Sequence, residues 1–333
     1  MDNLELLPVE ACKQSALEQR NCEKSQAYWN WVFGADGSGA RSMSCRGTEG
    51  QIIAHVLALR VPALVQGEAA ELLHVIEASY DKQATSNSDG PEHFVNLAEQ
   101  FARTFGGNAP EGAPLLYGLP SRSFWSLAKE KLSAKVMRTQ SVLNCSVADL
   151  SLPAVGSIEV EVAERFPEEV ADLKRQLSTH SEIVCRPTAA ALNHRFVDIP
   201  ECAELESRFQ IALVRKAGML LGYAVASTGG LNSNTLPIWD WCVPESQPAA
   251  IVLLDWLKEC ATAGGFEELR FTLPDTSPDW VSLQQLGFRV YGSNLVLTVR
   301  HFPRQMTMRW LYHNWNYSLS DWKLNSVDAA HSS

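Results

Sequence analysis

A chain of 333 residues with 46% apolar and 20% charged residues has the balance of a globular protein and room for two domains of ordinary size. Its formal net charge of -10 argues against a nucleic-acid backbone as the main partner, because phosphate contacts need a basic surface. The eight cysteines stand apart, without the close pairs of a zinc ribbon or a CxxC redox site, and no apolar run approaches the ~20 residues needed to span a bilayer.

The opening MDNLELLPVEACKQ is acidic and lacks a charged segment followed by an apolar core, so it does not read as a signal peptide and a cytoplasmic protein without a membrane partner is expected. Residues 9–25 are expected to form a first helix. The aromatic stretch Tyr28 to Phe33 follows, then the turn-rich Gly34 to Gly39. Arg41 to Arg46 and Gln51 to Val61 read as strands, joined by Gly47-Thr48-Glu49-Gly50, which has hairpin chemistry. Leu72 to Ala78 reads as a further strand. After it, Asp89-Gly90-Pro91-Glu92-His93-Phe94 opens a helix whose Phe94, Leu97, Ala98, Phe101 and Phe105 recur at helical spacing and form one buried stripe. Gly106-Gly107 supplies its stop. A strand, a glycine turn and a helix N-terminus aim unpaired backbone N–H groups and the positive dipole end at one point, which suits a pyrophosphate. An ordinary strand–turn–helix unit has the same outline. Leu115 to Pro120 reads as a buried strand, Phe124, Leu127, Ala128 and Leu132 mark a second helix, and Lys135 to Leu143 reads as the strand after it.

Residues 151–190 break the pattern. Pro153, Gly156, a charged run from Glu159 to Lys174 and Pro187 suggest a linker with one or two helices of its own. The first pattern then returns. Arg208 to Lys216, Ala217-Gly218 and Met219 to Thr228 repeat the hairpin; Ala250, Leu253, Leu254, Leu257 and Ala261 line one face of a helix that ends at Gly264-Gly265. Leu269-Arg270-Phe271-Thr272-Leu273-Pro274 repeats the spacing of Leu115 to Pro120, and Leu286-Gly287-Phe288 stands where Leu132-Ser133-Ala134 does. A period of roughly 155–165 residues is far longer than a solenoid unit and indicates a duplicated domain. The expected organisation is a first domain over 1–150, a linker over 151–190 and a second domain over 191–325.

Trp280-x-x-Leu283-x-x-Leu286-Gly287-Phe288 resembles the last helix and "LGF" ending of the GNAT acyltransferase superfamily. Tyr117-Gly118-Leu119-Pro120-Ser121 resembles a strand end of one branch, the helix from Pro91 resembles the acyl-CoA helix in position, and Asn314 to Asp321 resembles a tail of the tandem forms. The resemblance covers nearly the whole chain. It implies an α/β (α+β) fold of two GNAT-like domains, each a mixed, mostly antiparallel, splayed sheet flanked by helices. It also implies acyl transfer from acetyl-CoA or another acyl-CoA to the amine of a small molecule. The histidines show no HxH or HExxH spacing, so no metal is expected. The family's pyrophosphate loop is Gln/Arg-x-x-Gly-x-Gly/Ala. Here Asp89-Gly90-Pro91-Glu92 keeps one glycine, places a carboxylate where a small residue is usual, and loses an N–H at Pro91. The second half, Val243 to Pro248, has no glycine there, so the first half is the expected acyl-CoA site and the second is expected to shape the substrate cleft.

Such a site needs donors for the acyl carbonyl, a base for the amine and a proton for the leaving thiolate. The resemblance makes Glu77 and Tyr80 candidates to accept the amine proton, and Tyr117 and Ser121 candidates to meet the thioester sulfur. It assigns acyl-CoA contacts to Ile76, Ala78, Asp89, Gly90, Pro91, Glu92, His93 and Phe94. Each has a plainer alternative: Glu77 as a surface residue, Tyr117 as a packed strand tyrosine, His93 as a solvated histidine or a second base. Trp310, Trp315, Tyr317 and Trp322 either line a pocket or clamp the halves. Two other functions stay open. One is a tRNA-dependent aminoacyl or peptidyl transferase of similar fold, the only nucleic-acid partner entertained; the other is a non-catalytic binding protein in which both loops have decayed.

Overall fold

The computed structural model describes residues 4–5, 26–34, 39–47, 50–81, 90–107, 112–120, 122–156, 158–200, 209–227, 234–244, 246–303 and 306–321. The helix expected over 9–25, and with it Asp89, Ser121 and Trp322, lies outside these residues. In chain order the strands are β1 (Leu4–Glu5), β2 (Ala40–Arg46), β3 (Ile52–Val65), β4 (Glu68–Tyr80), β5 (Leu115–Gly118), β6 (Lys135–Ser146), β7 (Glu159–Ala163), β8 (Ile183–Cys185), β9 (Phe209–Lys216), β10 (Met219–Ser227), β11 (Thr235–Cys242), β12 (Glu268–Phe271), β13 (Arg289–His301) and β14 (Trp315–Asn316). The helices are α1 (Gln26–Phe33), α2 (Gly90–Phe105), α3 (Arg122–Lys131), α4 (Val170–Leu177), α5 (Ala189–Phe196), α6 (Gln247–Gly264), α7 (Pro278–Gln285) and α8 (Met308–Asn314). The chain divides into two compact units: 1–61, 70–138 and 296–310 form unit 1, and 62–69, 139–295 and 311–333 form unit 2.

Unit 1 is a sheet in the order β1-β2-β3-β4-β5-β13. The β2–β3 hairpin pairs Ala40 with Leu59 through Cys45 with Ala54. Residue parity sorts its side chains: Ala54, Val56 and Ala58 meet α2, while His55 points the other way. Phe94, Leu97, Phe101 and Ala102 bring the α2 stripe onto them, each almost wholly buried. At about 1.5–3 kcal/mol per buried large side chain, these contacts hold the helix far more firmly than its local propensity does. Past Phe105 the chain is tied back by Ala113 N–H donating to the Phe105 carbonyl (2.8 Å) and Gly107 N–H to that of Ala113 (3.1 Å), with Gly107 at φ 134°. Its neighbour Gly106 is needed for another reason: a Cβ there would lie 2.2 Å from the Phe302 ring.

Unit 2 is a sheet in the order β6-β12-β11-β10-β9-β7. Its central strands are apolar on both faces. Ala212, Val214, Ala224 and Ala226 face α6, and Ile211, Leu213, Tyr223 and Val225 face α4 and α5, so the strands read as unbroken apolar runs. Ser246 caps α6 by accepting from the Ala249 N–H (3.3 Å), and Gly265 ends it in the left-handed conformation at φ 71°. A buried polar cluster ties down the chain's last described turn. Arg186 pairs with Asp321, which also accepts from the Ser318 N–H (2.9 Å), and Lys174 lies 3.6 Å from Asp240, itself the acceptor of the Tyr223 hydroxyl (2.9 Å).

Three expectations change. The segment 151–190 is no linker: β7 pairs along β9 from Glu159–Arg215 to Ala163–Ile211, and Phe166, Val170, Leu173 and Leu177 are core residues of unit 2. The charged run misled because its acids sit on an exposed edge strand, whereas the apolar side of α4 is legible only at helical period. The strand expected after α3, Lys135 to Leu143, does not stand beside β5: β13 lies between them. Leu143 to Ser146 of β6 pair with Phe271 to Glu268 in unit 2, and the partner of β5 is Thr298 to His301 of β13. The repeat also slips by one residue: Leu116, not Leu115, is the β5 residue that faces the helix, as Leu269 does on β12.

Candidate active site

Strands β4 and β5 run parallel and are paired at Leu73–Leu116 and His74–Tyr117. Beyond that point β5 has one more residue, Gly118, while β4 continues to Tyr80. Helix α2 runs back along them. Its first turn meets the end of β4 (Phe94 and Tyr80 ring centroids 6.1 Å apart), and its last residue leads to the Gly106–Ala113 bridge just before β5. Between the parted strand ends and the two helices α2 and α3 lies a cleft of about 330 Å³, with Val75 to Ser79 along one side and Leu116 to Pro120 along the other.

Side-chain alternation along β4 slips once here. Leu73 and Val75 pack with the α2 core, and then Ala78 and Tyr80 do, so one extra residue has been taken up between Val75 and Ala78, as in a β-bulge. In consequence Glu77 and Ser79 turn to the opposite face, where His55 stands. Glu77 Oε1 lies 3.9 Å and Ser79 Oγ 3.5 Å from His55 Nδ1, with the Glu77 side chain only 13% exposed. Glu77 is therefore an interior carboxylate at the rim of the cleft rather than a surface residue.

The remaining sequence candidates fall in different places. Ile76 and Ala78 line the cleft. Tyr80 packs against Phe94 and is half-buried. Tyr117 lines the cleft at its closed end, and its ring stacks on His74 at 4.8 Å and 2°. Gly90 is the first residue of α2 and Pro91 lies in its first turn. Glu92 is exposed, so its charge is in water, and His93 is half-buried and not among the residues that line the cleft. Phe94 contributes its ring, buried edge-to-face against Phe124 at 4.7 Å. Trp315 and Tyr317 are interior residues of unit 2, the tyrosine donating to Gln140 Oε1 (2.9 Å), and neither lines the cleft.

Several residues of the site were not found from the sequence. Thr298 donates its hydroxyl to the Gly118 carbonyl (3.1 Å). Arg300 grips Glu99 of α2 with two bonds (2.7 and 3.0 Å) and reaches the Leu132 carbonyl (3.2 Å). Both stand on β13, and nothing local to them announces a cleft that begins at residue 56. His55 did carry a signal, as the one ionisable residue inside the apolar run Ile52 to Leu59. Gly118 is required by geometry: a Cβ on it would lie 2.8 Å from the Val75 carbonyl oxygen.

Unit 2 closes the corresponding place. Its parallel pair Leu236–Leu269 matches Leu73–Leu116, and two residues further along, where β5 has Gly118, β12 has Phe271. Phe271 is fully buried between Trp241 (5.1 Å, 90°) and Phe288 (5.4 Å, 75°). The Trp241 indole N–H donates to Asp279 Oδ2 (3.0 Å). Burial pushes the Asp279 carboxyl up to about 6, outweighing the hydrogen bond that favours its charged form. Among the described residues no group of three or more His, Cys, Asp or Glu is arranged to hold a metal ion, and no helix is long and apolar enough to cross a membrane.

The sequence matches no family model, and no curated protein matches it. Solved structures do. A GCN5-related N-acetyltransferase from Anabaena variabilis ATCC 29413 is similar at a TM-score of 0.63 and 12% identity, covering 90% of this chain and 73% of that one. A conserved protein of unknown function from Enterococcus faecalis V583, described as a probable N-acyltransferase, gives 0.62 at 13% identity over 90% and 72%. A GCN5-related N-acetyltransferase from Kribbella flavida gives 0.59 at 13% over 90% and 71%. At that identity the likeness concerns the fold: this chain has the GNAT fold, a mixed and mostly antiparallel sheet flanked by helices.

Proposed function

We propose that unit 1 is an acyl-CoA-dependent N-acyltransferase that acts on the amine of a small molecule. One observation carries the reading: β4 and β5 part after two paired residues and leave an open cleft, whereas Phe271 fills the equivalent place in unit 2. The pantetheine arm would lie along Val75 to Ser79 beneath α2 and α3, with the pyrophosphate toward the N-terminus of α2 at Gly90 and Pro91, and Asp89 before them. Backbone N–H groups at the slip between Val75 and Ala78 would hold the thioester carbonyl oxygen as it gains charge. The amine would enter from the opposite face of the sheet, where Glu77 stands. As the amine nitrogen bonds to the carbonyl carbon, Glu77 takes its proton, directly or through one water. The C–S bond then breaks, and the CoA thiolate leaves with a proton from the nearest hydroxyl, for which Tyr117 is the candidate among the described residues. Tyr80 is the second candidate base. His55 and Ser79 hold the Glu77 side of the site in register.

The Kribbella and Anabaena proteins, by their names, are N-acetyltransferases, which supports the same chemistry here. The reading requires a compartment that holds acyl-CoA, which fits the cytoplasm. Isothermal titration with CoA and acetyl-CoA tests the donor, and release of free thiol in the presence of a panel of primary amines tests the transfer. Micromolar binding, with amine-dependent thiol release that is lost in Glu77→Gln, is the expected result. Absence of binding to either ligand would overturn it.

A further inference from the structure

Resting on the acyl-CoA reading, we infer that the donor carries an uncharged, medium-length apolar acyl chain in preference to an acetyl group. Along the cleft α2 presents Phe94, Ala98, Phe101 and Ala102, a span of about 12 Å at helical rise. The Phe94 end meets Tyr80, where β4 finishes, and the Phe101–Ala102 end lies toward the Leu73–Leu116 pairing, where the strands are still joined. A thioester whose nucleotide sits at the start of α2 therefore points its acyl substituent toward Phe101 and Ala102. The wall there is apolar and buried: Val56, Phe101, Ala102, Leu116 and Leu132 are each less than a tenth exposed.

Small residues create the room. Ala98 and Ala102 on α2 and Ala128 on α3 all line the cleft, and a leucine at either of the last two would occupy the space that they leave. An acetyl group would leave that apolar wall without contacts, whereas each methylene of a longer chain that packs on it removes apolar surface from water. The charge at this end is already neutralised. Arg300, bonded to the Leu132 carbonyl, has its guanidinium taken by Glu99 on two bonds, so a carboxylated acyl group gains no cation.

The full-length protein titrated calorimetrically with CoA, acetyl-CoA, hexanoyl-CoA, octanoyl-CoA and succinyl-CoA decides the matter. Affinity is expected to rise about fourfold for each added methylene that enters the cleft, and succinyl-CoA to bind no better than acetyl-CoA. Ala102→Leu and Ala128→Leu should each remove the gain of hexanoyl-CoA and octanoyl-CoA while leaving acetyl-CoA affinity within twofold. With two variants on different helices, one that fails to fold leaves the other to report. Equal affinities for acetyl-CoA, hexanoyl-CoA and octanoyl-CoA, or a gain that survives both variants, would overturn the inference and leave the acyl-CoA reading standing. No binding by any of the five, CoA included, would instead overturn that reading and this inference with it.

Discussion

Gly118→Ala is the sharpest test of how the cleft is built. The added Cβ would stand 2.8 Å from the Val75 carbonyl oxygen, and that oxygen is main chain, fixed beside the Leu73–Leu116 and His74–Tyr117 pairing. To reach the 3.4 Å at which ordinary contact begins, the two strands must move apart by about half an ångström at the point where they begin to diverge. On the other flank β5 cannot yield freely, since Thr298 pairs with Gly118 and bonds its carbonyl. Forcing one methyl into such a site costs about 1–3 kcal/mol. Each kcal/mol lowers Tm by about 2–4 °C in a domain of 150–250 residues. The control is Gly156→Ala, where nothing lies within 4 Å of the new Cβ; it should stay within about 0.5 kcal/mol of wild type. Urea denaturation and thermal melts read both variants. A Gly118→Ala protein as stable as Gly156→Ala would refute the claim that contact between the β4 and β5 backbones sets the mouth of the cleft.

Four further outcomes are expected. Glu77→Gln should lower kcat/KM for amine acylation by about 10²–10⁴ with acyl-CoA affinity unchanged, measured by thiol release and calorimetry. Glu99→Ala strips a half-buried guanidinium of its bidentate partner and should cost about 1.5–3 kcal/mol in urea unfolding, a loss that Glu99→Gln recovers in part. Arg186→Met leaves the Asp321 carboxylate buried beside Asp240, and breaking such a pair from one side costs about 3–5 kcal/mol, visible as an early loss of unit 2 in hydrogen exchange. Asp279 is pushed up to about 6 from 3.8, so the folded state holds its proton more tightly than the unfolded one. That contribution is complete below about pH 4 and is lost as pH rises toward 6. Asp279→Asn should therefore flatten the fall in stability across pH 4–6, followed by melting temperature in a buffer series.

Much of the architecture is legible in the chain because the signals are local. The α2 stripe from Phe94 to Phe105, the Gly106-Gly107 stop and the β9–β10 hairpin at Ala217-Gly218 all stand in the folded chain as expected, since each rests on spacing or turn geometry within a few residues. The doubled pattern and the resemblance read from Leu286-Gly287-Phe288 led to the GNAT fold for the same reason. Glu77 and Ala78 were placed on the strand end that borders the cleft. What failed to show were features with no local sign. The slip in β4 that turns Glu77 toward His55 is visible only once the partners on both faces are known.

The sequence alone determined the elements whose signals are local, such as the α2 stripe and the β9–β10 hairpin, and pointed to the GNAT fold, because hydrophobic period, glycine position and residue size act through neighbours along the chain. Tertiary structure alone decided which strand completes which sheet, that 159–177 supplies an edge strand and core side chains to unit 2 rather than a linker, and that Arg300 faces Glu99 across 201 positions. The reason is that backbone pairing is the same for every residue: a strand carries no mark of the edge it will join. That choice falls to the packing of side chains brought together from distant parts of the chain.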